Sequence, residues 1–222
     1  MIKPPGIIDN TIELPGRCYA IRMMPHEVDI ADIHDKWDPA YADAMKLIVD
    51  GNVDEGKEIL EELYRRKYNR AGHTLSYGYG AGWFGEPDPK KYLSLVNALV
   101  LKGYSAAFSD YGFCYDCGIG VKKSMRWALY WYRKAADYDD EEAQNILGLC
   151  YEEGTGVLKD YEKAYYWFSL AVKNGAGACA EHNLARCFRL GRGISEDKGM
   201  ANKYEALAVK HGFHKKDKGT VI

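Results

Sequence analysis

The sequence predicts an all-α repeat solenoid, and three observations carry that prediction. Glycine turns recur at a fixed step, with Gly118-Ile119-Gly120, Gly154-Thr155-Gly156 and Gly191-Arg192-Gly193 following one another at 36 and 37 residues. Bulky and small residues keep the same step: Trp131, Trp167 and Tyr204; Ala107, Ala143 and Ala180; Tyr115, Tyr151 and Phe188. Between the turns, apolar residues recur at helical rather than strand spacing.

Each unit reads as two helices. The first, exemplified by Ala143 to Glu152, puts Ala143, Leu147 and Tyr151 four apart on one face, and Gly148 there allows a neighbouring helix to come close. A glycine-bearing turn ends it. The second, exemplified by Tyr161 to Lys173, places Ala164, Trp167, Phe168, Ala171 and Val172 along one apolar stripe. Asp88, Asp160 and Ser195 stand where N-caps are expected. One such hairpin cannot bury its stripe alone, so neighbouring hairpins must stack.

Stepping the pattern back by 36 residues from Ala107 reaches Ala71, and the same shift takes Trp131 to Leu95. The repeats are therefore 71–106, 107–142, 143–179 and 180–216, about four in number. A plainer helical hairpin, 35–70, precedes them, with helices expected at Pro39–Val49 and Asp54–Arg66. The solenoid so defined covers 35–216. Residues 1–34 break the pattern and are expected to form an irregular N-terminal cap, with Thr11–Leu14 and Cys18–Met23 as a short β-hairpin. Residues 217–222 are a polar tail.

Composition narrows the function classes. Of 222 residues, 47% are hydrophobic and 13% aromatic, enough to build a sizeable core. Lys+Arg 30 against Asp+Glu 32 leaves a net charge of −2, without the basic excess of a nucleic-acid binder. No apolar run has the length of a membrane span, and the N-terminus lacks a secretory signal. A cytoplasmic location is the expectation.

The string Ala143-Gln-Asn-Ile-Leu-Gly148-Leu-Cys-Tyr151-Glu-Glu-Gly154-Thr-Gly156-Val157, followed by Lys159-Asp160-Tyr-Glu-Lys163-Ala164-Tyr-Tyr-Trp167-Phe168, resembles the Sel-one-like repeat, a relative of the tetratricopeptide repeat. The resemblance covers 107–142, 143–179 and 180–216 well and 71–106 less closely. It implies a right-handed αα superhelix whose members serve as adaptors or assembly platforms for other proteins. Some bacterial members look like host-interaction or regulatory factors, and cysteine-rich ones are associated with penicillin-type ligands. This chain departs from the pattern at Asp139, which stands where Gly103, Gly175 and Gly212 supply a glycine, and at Leu95.

The resemblance also implies that the first helix of each unit lines a concave groove. Helical spacing leaves the following positions to it: His73 and Tyr77; Ser109, Phe113 and Asp116; Asn145, Leu149, Glu152 and Glu153; His182, Arg186 and Arg189. They vary between units while the core positions repeat, as recognition of an irregular partner requires. Asp116, Glu152 and Glu153 would make the groove acidic in its middle, and Arg186 with Arg189 would make its C-terminal end a basic site for a partner carboxylate. Tyr77 and Phe113 would be its apolar anchors. The expected partner is a protein or peptide.

Other signals are absorbed by the repeat. Cys114-Tyr-Asp-Cys117 has the C-x-x-C spacing, yet Cys114, Cys150 and Cys187 occupy one repeat position and read as core residues. No second C-x-x-C exists to complete a zinc site. The G-x-G strings recur as interhelical turns and lack a phosphate-loop context. His211 and His214 have no further ligands nearby, so no metal or cofactor is assigned. Glu152-Glu153 and Asp139-Asp140-Glu141-Glu142 read as solvated charge, and no catalytic residue is assigned. The expected function is an interaction scaffold. The alternatives are a dedicated inhibitor or immunity-type protein for a single target and, further off, a hydrolase acting on a small ligand.

Overall fold

In a computed structural model, residues 38–213 are described, and among them the chain forms ten helices and no strand. The proposed N-terminal cap with its β-hairpin, Cys18, His214 and the tail lie outside the described residues. The helices are α1 Pro39–Val49, α2 Val53–Arg65, α3 Asn69–Ala81, α4 Pro89–Leu101, α5 Ala107–Cys117, α6 Met125–Ala136, α7 Glu141–Glu153, α8 Tyr161–Lys173, α9 Ala178–Leu190 and α10 Lys198–Lys210. They belong to two compact units, one within residues 38–107 with 119–121, the other within 108–118 and 122–213. The all-α repeat fold expected from the sequence is present.

The first unit is centred on α1–α3, where Tyr41, Ala44, Ile48, Leu60, Leu63 and Leu75 interlock and Leu95 of α4 packs against them. In the second unit, Leu149, Phe168, Leu184, Cys187 and Phe188 form one cluster, joining the facing stripes of α7, α8 and α9.

The hairpin is built the same way each time. The first glycine of each turn ends a helix in the left-handed region, with φ of 76° at Gly82, 79° at Gly154 and 61° at Gly191. A side chain is disfavoured there, which is why glycine recurs. The chain then returns so that the residue capping the second helix donates its N–H to a carbonyl near the end of the first. These bonds run from Asp88 to Tyr79, Ser124 to Tyr115, Asp160 to Tyr151 and Asp197 to Phe188, at 2.8 to 2.9 Å. The cap side chains complete the joint: Asp88 accepts from the N–H of Lys90 and Lys91, Asp160 from Lys163 and Asp197 from Met200. The last cap is thus Asp197, not the expected Ser195. A serine two residues too early has no helical N–H within reach.

The departure at Asp139 leaves the backbone unchanged. Asp139 takes φ of 61°, in the same left-handed region as Gly103 and Gly175, and Lys67 does so one step before them at 69°. Asp139 is held there by the Asn174 side-chain amide, which donates to its carboxylate at 3.1 Å. Aspartate tolerates this region better than most residues because its short side chain bonds locally.

Gly148 admits the Phe168 ring, as expected from the sequence. A Cβ on it would lie 2.5 Å from the ring edge of Phe168, which is itself wholly buried. Gly148→Ala is therefore expected to destabilise the second unit by about 1–3 kcal/mol through overpacking, measured as a lowered midpoint in urea denaturation. An unchanged midpoint would mean that the ring has room the packing does not show.

Candidate functional site

Three half-buried residues of α9, His182, Arg186 and Arg189, are spaced four and three apart so that they share one face of the helix. None of the three projects alone. Arg186 grips the Glu152 carboxylate of α7 with both oxygens engaged, at 2.9 and 3.0 Å, and donates to Asn183 at 3.2 Å. Asn183 in turn donates to Asn145 of α7 at 2.9 Å. From the turn after α9, Arg192 reaches the same Glu152 at 2.7 Å while lying over the Tyr161 ring. The Glu152 side chain is only 5% exposed, whereas Arg186 is 30% and Arg192 34% exposed. Two guanidinium groups therefore share one buried carboxylate and keep part of their donor edges in water.

The other half of the row is built on α10. Arg189 donates to Glu205 at 3.2 Å, and His182 Nδ1 meets the same carboxylate oxygen at 3.2 Å. The His182 ring stacks on Phe213 with centroids 4.0 Å apart. Burial lowers the His182 pKa below the ordinary histidine value; Glu205 raises it in part, and the nearby Arg186 and Arg189 lower it again. Close by, His211 meets both oxygens of the buried Glu181 at 2.9 Å.

The sequence expectation of an acidic middle and a separate basic end is corrected by this geometry. Glu152 and Arg186 are one ion pair, because stacking α9 on α7 brings positions 34 residues apart face to face. Leu149 is a core residue at 4% exposure and presents nothing to a partner. Asn145, Glu152 and Asp116 are likewise buried. Ser109 donates to the cap carboxylate of Asp140 at 2.8 Å. Glu153 is exposed and accepts from the Thr155 hydroxyl at 3.4 Å. Phe113 is half-buried on α5. His73 and Tyr77 belong to the first unit, where their rings meet edge to face at 4.7 Å. What the structure brings together is the set Asn145, Glu152, His182, Arg186 and Arg189.

Sequence reasoning missed Arg192, Asn183, Glu205 and Phe213. Arg192 carried a signal: it fills the middle of a G-x-G turn where Ile119 and Thr155 stand in the other units. Chemically, the cluster orders guanidinium groups and offers no activated nucleophile. Burial pushes the Cys187 thiol up to about 12, so it stays protonated beside Glu152. Cys114 and Cys150 are also buried, and the described cysteines form no disulfide with one another. Among the described residues no group of three or more His, Cys, Asp or Glu is placed to hold a metal, and no helix is long and apolar enough to cross a membrane.

Stacked helical hairpins joined by left-handed glycine turns, with polar ties running between their first helices, define a helical-repeat protein. The Sel1 repeat family model matches residues 109–139, 141–175 and 180–213, so the chain carries three Sel1 repeats there. It is similar to a Sel1 repeat protein from Oxalobacter formigenes at 25% identity and a TM-score of 0.70, over 78% of this chain and 70% of that one. It is also similar to a protective antigen of uropathogenic Escherichia coli with an SLR fold, at 28% identity and a TM-score of 0.64. That likeness covers 71% of this chain but only 33% of the antigen. No curated protein matches the chain.

Two predictions follow from this geometry. Arg186→Ala leaves the buried Glu152 with Arg192 alone and is expected to cost about 1–2 kcal/mol, below the usual cost of breaking a fully buried pair because one guanidinium remains. Arg189→Ala breaks a more exposed pair and should cost under about 1 kcal/mol. Urea denaturation of both variants checks the order, and equal losses would contradict it. The His182 pKa lies lower in the folded state than in the unfolded chain, so the unfolded state binds the proton first. His182 thus leaves stability undiminished above about pH 6.5 and subtracts from it as the pH falls through that value. His182→Gln should flatten that segment of the stability–pH profile, and a profile identical to wild type would count against the assignment.

Proposed function

We propose that the protein is an interaction scaffold that takes a protein or peptide partner on the first-helix face of its second unit, with the α9 row as the anchoring element. The observation that carries this reading is the preorganised arginine set. Arg186 and Arg192 are fixed on a carboxylate that satisfies only part of their hydrogen-bonding capacity, and Arg189 continues the row. Guanidinium groups already immobilised lose little freedom when a partner carboxylate binds, so they contribute more affinity than mobile lysines would. Glu153, exposed on α7 next to Glu152, adds an acidic contact, which suits a polypeptide with mixed side chains better than a simple anion.

The family supports the same reading, because a stack of repeats presents an extended surface with positions that are free to differ from one unit to the next. Here Gln144, Asn145 and Glu152 of α7 stand where α9 has Glu181, His182 and Arg189, while Ala143, Leu147 and Cys150 repeat as Ala180, Leu184 and Cys187.

The test is site-specific photocrosslinking in cells that express the protein. A benzoylphenylalanine at position 189 is expected to capture a defined protein, and the same group at Glu162, on the outer side of α8, is expected not to. Glu162 is exposed and Arg189 sits in a partly exposed pair with Glu205, so both variants are expected to fold, and circular dichroism of each checks it. Equal capture at both positions, or no protein adduct at 189, would sink the reading.

A further inference from the structure

The two ends of the outer ridge of α6 carry charges that the helix itself does not favour, although Arg133 and Lys134 in its last turn do follow the helix dipole. Arg126 lies in its first turn and Asp137 is its C-cap residue. The helix dipole favours the opposite placement, an anion at the N-terminal end and a cation at the C-terminal end. The matching ridge of α8 follows that preference, with Glu162 at the start and Lys173 at the end. Both Arg126 and Asp137 are exposed, and among the described residues neither has an ion-pair partner. Between them on the same ridge lie Tyr130, which is 50% exposed, and Arg133, which is exposed apart from a 3.4 Å contact with the Tyr151 hydroxyl. Arg126, Tyr130, Arg133 and Asp137, together with Lys134, line one open recess.

The order of these four residues is self-complementary. They are spaced four, three and four apart, so the ridge reads the same from either end in position while the charges of its two ends reverse. Turned about a two-fold axis between Tyr130 and Arg133, the ridge sets Arg126 against Asp137 and Tyr130 against Arg133 of the second copy. Each contact then occurs twice, as isologous pairing requires. The ends of the ridge are about 16 Å apart at 1.5 Å per residue, so both ion pairs form at one crossing only if the helices run antiparallel. Antiparallel helices also oppose their dipoles.

We propose that α6 is a self-association surface, on which two copies of the chain pair this ridge antiparallel through reciprocal Arg126–Asp137 ion pairs and Tyr130–Arg133 cation–π contacts. Trp127, 50% exposed, and Tyr138, 61% exposed, flank the ridge and would close its rim. One helix of twelve residues on each side makes a small contact, at the weak, reversible end of protein interfaces. The dimer is therefore concentration-dependent and sensitive to salt.

Sedimentation velocity of the full chain, over a concentration series reaching about 0.5 mM, tests the proposal in the range where weak interfaces associate. Wild type is expected to shift from monomer toward dimer as concentration rises. Arg126→Asp alone and Asp137→Arg alone should each remain monomeric, since each sets like charges against one another twice. An equimolar mixture of these two variants should dimerise again, because Asp at 126 of one chain then faces Arg at 137 of the other, and the native pair survives on the opposite side. Both positions are exposed, and circular dichroism of each variant confirms that the helices are retained. A wild type that stays monomeric throughout, or a mixture that fails to associate, would overturn the proposal. Neither result bears on capture at position 189.

Discussion

The returning N–H bond at each turn is the constraint on which the rest of the fold depends. Two helices joined by seven residues could meet at many angles. The bond from the capping residue back to Tyr79, Tyr115, Tyr151 or Phe188 leaves one. It fixes where the second helix starts relative to the last turn of the first, and so decides that Phe168 arrives over Gly148 rather than over a bulkier neighbour. The left-handed glycine and the cap side chain serve the same joint from either side. Once the joint is set, the apolar stripe has one direction to face, and the next hairpin supplies the surface that covers it.

Much of this was legible in the residues. The 36- and 37-residue step exposed the glycine turns, the alternation of helix types and the core identity of Cys114, Cys150 and Cys187, because packing repeats the same demand in every unit. Asp160 and Asp88 were readable as caps, since an aspartate just before an amphipathic run has a local physical reason. Ser195 misled because serine, glutamate and aspartate follow one another there, and only the position of the first helical N–H chooses between them. Asp139 looked like a break in the turn pattern, yet the backbone conformation was preserved by a hydrogen bond from Asn174, a residue 35 positions away.

The candidate site was the less legible part. Reading α7 and α9 separately picks out Asn145, Glu152, His182, Arg186 and Arg189 but treats Glu152 as acidic surface and Arg186 as basic surface. Their meeting depends on the offset between stacked helices, which the step length alone does not supply. Leu149 shows the same limit: an intervening position on a helical wheel faces outward only if nothing packs on that side, and here α8 and α9 both do. Arg192, Glu205 and Phe213 come from a turn, a second helix and the end of α10, which no pattern of first-helix positions would gather.

The shared carboxylate also shapes how the array comes apart. A hairpin of a repeat protein can open without its neighbour's participation when the two share only apolar contacts. Here α9 and its following turn carry both cations that neutralise a carboxylate buried on α7. Peeling α9 and α10 away would strand that negative charge in a site with little water, so the loss of this hairpin raises the free energy of the one before it. The two hairpins thus open as a single cooperative segment, and amide protons in α7 and α9 should exchange together although the helices belong to different repeats.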